Sequence, residues 1–402
     1  MAPPRLREPA AASTRAGSVW PNFSTSGSVV GGGLEGRSVG RRRGLALAGG
    51  GTDQSEKAVE RGLAWLAEHQ LEDGSWRFDL TSCPACAGAC RDSGFFDSTT
   101  ASTGLALLCF LGAGYTHHEG TYQTEVGQGI YYLTESMSVT SSGGDLRDKG
   151  FGVDRNGRLV TIVEQVRGRG DNMYSHGIAA LALTEAFAMT NDPELRQAAQ
   201  LAVNFIVNGQ YDDGGWRYAP ASENPGPGDT TVSGWQVMAL KSGELGGLEI
   251  PYETWLRFDA FLDSMQTRGG SEYVYLRGQR STRATTAIGL LCRMYRHWPR
   301  DHRPLVRGVN ALGKQQPESN HMYYNYYASQ VLHHYGGVPF KRWNHKVRDY
   351  LVATQAKVGH ETGSWYFDEA HSSHGGRLYT TAMAIMTLEV YYRYMPLYRE
   401  LK

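Results

Sequence analysis

The chain has 402 residues, of which 41% are hydrophobic and 11% aromatic, enough for one large domain or two ordinary ones with a sizeable core. Lys and Arg (40 residues) balance Asp and Glu (40 residues), which argues against nucleic acid or an anionic membrane as the main partner. No run of about 18 apolar residues occurs, so we expect at most peripheral membrane contact and favour a cytoplasmic location.

The first segment, residues 1–52, is rich in Gly, Ser, Pro and Arg and has no periodic apolar pattern. This composition predicts a disordered tail. The apolar run 45–48, which follows three arginines, is too short for an export signal. The tail is compatible with a remnant of a longer protein or with a misplaced start site, and residues 53–402 are expected to form the folded domain.

Six helical hairpins can be placed along residues 53–402. The first helix of each pair has one apolar face, as in Leu195, Ala199 and Val203, and the second is apolar almost all round, as in 229–248. This contrast predicts an outer and an inner layer. The outer helices are predicted at about 56–70, 122–137, 194–209, 252–266, 303–314 and 340–355, and the inner ones at about 97–112, 173–190, 229–248, 282–298, 321–335 and 378–394.

The two end hairpins are as apolar as the middle ones. An open superhelix would need polar end caps, whereas a closed ring needs none. The pattern therefore predicts an all-α fold, a closed α6/α6 toroid with six inner helices inside six outer helices.

A similar turn follows three of the outer helices. It runs from Gln70 to Trp76 and from Gln210 to Trp216 with the same spacing, and more loosely from Gln355 to Trp365. Asp-Gly pairs favour tight turns, and Trp offers a large face and one N–H donor. We expect each turn to fasten one hairpin to the next.

These turns resemble the QW repeat of squalene/hopene cyclases, and the hairpin layout resembles the terpenoid cyclase/protein prenyltransferase toroid over about 56–398. The resemblance implies the toroid fold and a long apolar ligand of the isoprenoid type in a central cavity. It does not by itself imply an activity, because one fold hosts many functions.

The catalytic motifs of that family match poorly. Class II cyclases protonate a polyene with the middle acid of an Asp-x-Asp-Asp-Thr-Ala stretch, and the nearest matches here, at Asp97 and Asp229, have one carboxylate each. Protonating an alkene needs an unusually strong acid, so we expect no proton-triggered cyclisation. Both residues remain catalytic candidates, with helix N-capping as the alternative role.

Protein prenyltransferase chemistry is not expected either. No Asp-x-Cys pair opens an inner helix, Thr380 stands where that family has a zinc-binding His, and no Asp-Asp-x-x-Asp motif occurs. The pair His176-Gly177 resembles a pair found in lanthionine cyclases, another toroid family. The cysteine motifs that bind zinc in that family are missing here. We keep His176 as a third catalytic candidate.

Aromatic residues early in inner helices are candidates for the ligand-binding wall, namely Trp235, Tyr323, Tyr324 and Tyr327. Aromatic faces stabilise carbocations in the cyclases that this chain resembles. The alternative is that these side chains pack in the core with their hydroxyl groups hydrogen-bonded.

Two arginines lie near the predicted N-termini of inner helices, where helix dipoles favour an anion. Arg283 and Arg377 could hold an anionic headgroup there. The alternative is that they pair with surface acids such as Asp368 and Glu369.

Three cysteines lie between the first outer and inner helices, at Cys83, Cys86 and Cys90. If the ring closes, the loop of the sixth hairpin adjoins them and brings His374, with His371 and His360 nearby. Three thiolates and one imidazole would suit a structural zinc ion. A disulfide with one spare thiol, or three free thiols, are the alternatives.

Three functions fit these features. The first is an isoprenoid-holding toroid, either a binding protein or a divergent cyclase or transferase. The second is a non-catalytic scaffold for protein–protein interaction whose contact arm is the insert 138–172. The third is a glycan-processing toroid, which needs two carboxylates about 5–10 Å apart; Asp97 and Asp229 are the candidates.

Overall fold

The computed structural model describes residues 33–147, 150–153, 159–162, 172–224, 226–369 and 371–398. Fourteen α-helices occur in these ranges. They are α1 Val39–Gly49, α2 Asp53–Glu68, α3 Thr99–Gly112, α4 Gln123–Ser136, α5 Met173–Thr190, α6 Pro193–Asn208, α7 Thr230–Leu245, α8 Tyr252–Met265, α9 Arg283–Tyr295, α10 Arg303–Lys314, α11 Met322–Tyr335, α12 Gly337–Thr354, α13 Ser372–Leu388 and α14 Val390–Arg393.

Helices α2 to α13 form the predicted ring. The even-numbered helices lie outside and the odd-numbered helices lie inside, and each inner helix contacts the next. Helix α13 contacts α3, and α12 contacts α2, so that both layers close. The closed α6/α6 toroid predicted from the sequence is confirmed.

The helices of the two layers differ in their apolar surface because they differ in the number of neighbouring helices. Helix α2 begins with a capping box at Thr52 and buries one face, which includes Val59, Leu63 and Leu66. Helix α3 has neighbours on every side and buries every residue from Thr100 to Gly112. An inner helix must therefore be apolar all round.

Glycines inside the inner helices permit close approach. A Cβ built on Gly104 of α3 would lie 3.1 Å from the backbone of Ala179 on α5. A Cβ on Gly289 of α9 would lie 2.2 Å from Cγ of the Tyr273 ring. These two glycines are needed for packing, and they do not create room for a cavity.

The three Gln–Trp turns fasten neighbouring hairpins as predicted. In each turn, the Gln side chain donates to a carbonyl of its own turn and to one in the next outer helix around the ring. The second acceptors are Glu125 of α4 for Gln70, Thr254 of α8 for Gln210, and Ala58 of α2 for Gln355. Each Trp indole donates at 2.7 Å to a carbonyl of the preceding outer helix.

The prediction that residues 1–52 are disordered is wrong for residues 33–52. Helix α1 packs against α14, and Ala46 is completely buried. Arg37, in a 3₁₀ turn at Glu35–Arg37, reaches into the ring and pairs with Glu185 of α5 at 2.7 Å. This buried ion pair anchors a segment whose composition alone predicts no structure. Residues 1–32 lie outside the described residues.

Three short antiparallel hairpins complete the described parts of the chain: β1 Ser138–Thr140 with β2 Gly143–Asp145, β3 Gly150–Val153 with β4 Leu159–Ile162, and β5 Gln266–Thr267 with β6 Glu272–Tyr273. Strand β2 packs on α6. Much of the predicted contact arm, 138–172, lies outside the described residues. Within the described ranges, no helix combines the length and apolar character needed to cross a bilayer.

Candidate functional site

The N-termini of the inner helices meet at one end of the ring, which we call the mouth. Asp229 caps α7 there and is completely buried. Its Oδ1 accepts from the backbone N–H groups of Thr231 at 2.9 Å and Val232 at 2.8 Å. Its Oδ2 is buried and has no hydrogen-bond partner among the described residues. Burial raises the pKa of this carboxyl group, although the three hydrogen bonds to Oδ1 oppose the shift.

Glu369 is a second buried carboxyl group at the mouth. It lies just before α13, and one oxygen accepts from the backbone N–H of Met322 at the start of α11. Its Oε1 makes no hydrogen bond of ordinary geometry to any residue that the structure describes. Burial raises the pKa of Glu369, with Met322 and the nearby Tyr379 phenol acting against the shift. Sequence reasoning treated Glu369 as a surface acid, because no local pattern shows that this loop folds onto α11.

Three tyrosines at the mouth interact electrostatically with these two carboxyl groups. Tyr174 on α5 and Tyr323 on α11 come from opposite sides of the ring, and both remain partly accessible. Burial raises the pKa of each phenol, and the Asp229 carboxylate raises both further. Tyr379 of α13 has a pKa raised by burial and then by Glu369 and Tyr323. Tyr323 thus interacts electrostatically both with Tyr174 and with Tyr379, the phenols near the two carboxyl groups.

The outer edge of the mouth is also aromatic. The Tyr218 ring lies 5.9 Å from that of Tyr174, and its hydroxyl is 3.0 Å from that of Tyr275. The imidazole of His371 lies 6.0 Å from the Tyr323 ring. Burial, then His321 and His374, lower the pKa of His371, which favours its neutral form. The mouth thus combines aromatic faces with hydroxyl, imidazole and carboxyl groups.

Below the mouth, aromatic side chains pack against one another inside the ring. Trp235, predicted to bind a ligand, is 1% exposed and stacks on Tyr326 with 6.0 Å between ring centroids. Tyr327 is completely buried against Trp235 and Tyr323. Both residues are buried, and the Tyr327 hydroxyl has no hydrogen-bond partner among the described residues, so their role in a ligand-binding wall stays a prediction.

Charged residues fill the opposite end. Glu185 of α5 is completely buried and pairs with Arg37 at 2.7 Å and with Arg393 at 3.2 Å. Burial alone would raise the pKa of Glu185, but the two arginines lower it. Glu389 lies beside Arg393 at 3.1 Å. We call these four residues the plug.

Several predicted site residues lie elsewhere. Tyr324 is completely buried and packs edge-on against Trp343 of α12, so it points away from the mouth. His176 is completely buried, with Nδ1 accepting from Leu146 and Nε2 facing the Ala202 carbonyl, both at 3.1 Å. Because both ring nitrogens are engaged, its expected catalytic role is corrected to a structural one.

Asp97 is exposed, and Ser98 rather than Asp97 caps α3. It lies in a surface groove of about 590 Å³ that is also lined by Arg77, Asp79 and Phe95. Its expected pairing with Asp229 stays a prediction: Asp97 is exposed, whereas Asp229 is completely buried.

Both predicted headgroup arginines pair with acids. Arg377 is buried and pairs with Asp92, and with Glu361 at 3.3 Å. Arg283 pairs with Glu318 at 2.6 Å. The alternative, pairing with acids, is correct for both arginines, although the partners differ from the expected Asp368 and Glu369.

The cysteine loop meets the sixth hairpin as predicted, but with different residues. Cys90 Sγ lies 3.4 Å from His69 Nε2 and 3.3 Å from His360 Nδ1. The sulfur of Cys86 completes a group whose four potential ligand atoms all lie within 4.8 Å of one another. Cys83 is buried, with its sulfur near the Glu68 carbonyl, and His374 packs on Phe95. The predicted set of Cys83, Cys86, Cys90 and His374 is thus corrected to His69, Cys86, Cys90 and His360.

Comparison with known proteins identifies the fold alone. No protein-family model matches the chain, and no curated protein does. The solved structure of the α-1,6-mannanase GH76A of Salegentibacter sp. HEL1_6, an inactive variant with α-1,6-mannotriose, matches with a TM-score of 0.54 and 11% identity over 85% of this chain and 99% of that one. The type II terpene cyclase MstE from Scytonema, as a variant with geranylgeranyl dihydroxybenzoate, matches with a TM-score of 0.52 and 14% identity over 85% and 97%.

The fold and the site define the class: this chain is an α/α toroid with a polar aromatic mouth. Its fold is shared by a glycan-cleaving enzyme and by a terpene cyclase. Because these two enzymes have unrelated chemistry, the function must be argued from the residues of this chain.

Proposed function

We propose that the mouth binds a polyhydroxylated ligand of the glycan class, with Asp229 and Glu369 as an acid–base pair that cleaves it. The observation that carries this proposal is that each buried carboxyl group accepts a backbone N–H at the start of an inner helix with one oxygen. The other oxygen has no hydrogen bond of ordinary geometry among the described residues, although the Tyr379 phenol lies near Glu369. A buried polar atom without a partner requires an explanation, and a ligand hydroxyl would supply one.

The surroundings of the pair suit a sugar. Sugar rings present hydroxyl groups at their edges and weakly polar C–H faces, and mixed aromatic and polar sites bind such ligands. Tyr174, Tyr323 and Tyr218 offer both ring faces and hydroxyl groups. Glycoside hydrolysis needs one carboxylic acid as proton donor and one carboxylate.

The hydrogen bonds support a division of roles between the two carboxyl groups. The carboxylate of Asp229 is stabilised by two N–H groups and the Thr231 hydroxyl, whereas Glu369 has one N–H donor and the nearby Tyr379. More hydrogen bonds to the charged form favour ionisation. Asp229 would therefore act as the carboxylate, and Glu369 as the protonated acid.

The test combines binding and turnover. Wild-type protein would be incubated with a panel of oligosaccharides that includes α-1,6-linked mannan fragments, the ligand class of one structural neighbour. Binding would be measured by calorimetry and products by chromatography. We expect Asp229→Asn and Glu369→Gln each to lower turnover by at least about 100-fold with little loss of affinity, because general acid–base groups contribute about that much.

Asp97→Asn is the matched control, since it removes an acid near the N-terminus of a different inner helix. It should leave binding and turnover unchanged. Absence of any glycan binding, or an equal loss of turnover in Asp97→Asn, would overturn the proposal.

An isoprenoid ligand remains a second candidate, because Trp235, Tyr326 and Tyr327 form an aromatic cluster and a terpene cyclase shares the fold. The plug, however, places two buried arginines and two buried carboxyl groups in the lower part of the ring, where a long apolar chain would extend. Binding of squalene or geranylgeranyl diphosphate, without binding of any glycan, would favour this candidate.

A further inference from the structure

The first and last hairpins of the ring meet at a seam, and a cluster of two histidines and two cysteines lies on it. His69 ends the α2 segment, Cys86 and Cys90 lie in the following loop, and His360 lies in the loop between α12 and α13. Residues almost 300 positions apart are thus brought into contact. This cluster takes no part in the proposed function at the mouth.

We propose that His69, Cys86, Cys90 and His360 bind one zinc ion, which joins hairpin 6 to hairpin 1 and closes the ring. Tetrahedral sets of two sulfur and two nitrogen ligands are typical of zinc.

The distances fit this geometry. Zinc lies about 2.3 Å from thiolate sulfur and about 2.0–2.1 Å from imidazole nitrogen, so the sulfur–nitrogen edges of a tetrahedron around it are about 3.5 Å long. The two edges from the Cys90 sulfur measure 3.4 Å to His69 and 3.3 Å to His360. The ligand atoms therefore need little movement to surround an ion.

The second ring nitrogen of His69 supports the same assignment. Its Nδ1 lies 2.7 Å from the carbonyl oxygen of Trp65, to which it donates its proton. This hydrogen bond fixes the tautomer that directs the lone pair of Nε2 at the cluster, as is usual for histidines that bind metals. The sulfur of Cys86 also accepts a hydrogen bond from the backbone N–H of Cys90 at 3.3 Å.

Burial and charge indicate a structural site. His69, Cys86 and Cys90 are 1%, 1% and 5% exposed, and His360 is partly buried. Four protein ligands leave no open position for a substrate. Two thiolates would balance the charge of the ion, so the site would be neutral in its buried setting.

The decisive measurement is the zinc content of the full-length protein, purified without chelator and also after titration with zinc chloride. We expect about one zinc per chain in the wild type and a loss of most of it in Cys90→Ser and His69→Ala. Cys83→Ser is the matched control, because Cys83 is a buried cysteine of the same loop whose sulfur lies outside the cluster. It should retain zinc, and so should His374→Ala.

A second readout is thermal unfolding with and without a chelator. An ion that binds only the folded chain stabilises it, so a chelator should lower the melting temperature of the wild type and of Cys83→Ser by several degrees. It should leave that of His360→Gln unchanged. His360→Gln also serves if Cys90→Ser does not fold, since His360 is the least buried ligand.

Three results would overturn the proposal: wild-type protein that binds no zinc on titration, a Cys83→Ser variant that loses as much zinc as Cys90→Ser, or a Cys86–Cys90 disulfide in the native protein by mass spectrometry. None of these results bears on the carboxyl pair at the mouth, so the two proposals can fail separately.

Discussion

At the residue scale, the two oxygens of Asp229 have different surroundings. Its position at the start of an inner helix is visible in the sequence, because Asp followed by Thr-Thr and an apolar run is typical of a cap. The unpaired second oxygen is not visible there, because it depends on which residues from other parts of the chain surround Asp229. The same holds for Glu369, and for His69, whose place in the cysteine cluster no spacing rule indicates.

Gly289 lies at a position where the surrounding packing leaves no space for a Cβ atom. We expect Gly289→Ala to lower the free energy of unfolding by about 1–3 kcal/mol, because the added methyl would overlap the buried Tyr273 ring. Gly127→Ala in the outer helix α4 is the control, since the nearest side-chain atom would lie 3.7 Å away. It should raise stability by about 0.5–1 kcal/mol, because Ala favours helix. Urea denaturation of both variants checks this pair, and equal effects would contradict it.

At the scale of elements, periodicity predicts most of the ring. Helix α5 spans the predicted residues, and the other outer and inner helices are shifted by at most a few residues, except at the C-terminal end. There α13 begins at Ser372, six residues before the predicted start, and includes a kink at Gly376. Helix α1 was missed because its composition is that of a linker and its stability comes from packing against α14.

The hydrogen bonds of the Gln–Trp turns should contribute measurably to the stability of the ring. Gln210 is 6% exposed and its amide donates to Gly214 at 2.9 Å and Thr254 at 3.0 Å. Gln210→Ala removes both of these buried hydrogen bonds, so we expect a loss of about 1–3 kcal/mol in the free energy of unfolding. Gln197→Ala, on the exposed face of α6, should cost less than about 0.5 kcal/mol. Chemical denaturation of the two variants measures the difference. If Gln210→Ala left the free energy of unfolding unchanged, the turn would not fasten the hairpins.

At the scale of the whole molecule, the plug makes stability depend on pH. Burial raises the pKa of Glu389 from 4.5 to about 8, against Arg393, Arg42 and Arg37, which lower it. The folded state thus keeps a proton that the unfolded state releases above pH 4.5. This contribution to stability is present at low pH and is lost as the pH rises towards 8.

We therefore expect the stability of the wild type to fall between pH 6.5 and 8 by up to about 1.4 kcal/mol per pH unit relative to Glu389→Gln, which cannot ionise. Histidines whose pKa burial lowers to about 4, such as His176 and His333, titrate below this window and are common to both proteins. Unfolding free energies measured across the window test the difference. The exposed Glu119→Gln variant should parallel the wild type, and parallel curves for Glu389→Gln would contradict the role of Glu389.

The plug also affects the order of assembly. Arg37 pairs with Glu185 and donates to the carbonyl of Arg393, so this contact joins positions separated by 356 residues. Contacts of such long sequence separation slow folding, because the loop they close costs entropy before any contact forms. During synthesis the first inner helix lacks its final neighbour, α13, until nearly the whole chain has been made. The growing chain therefore exposes apolar surface for a long time. We expect the yield of folded protein in the cell to depend on chaperones, even if the folded protein is stable.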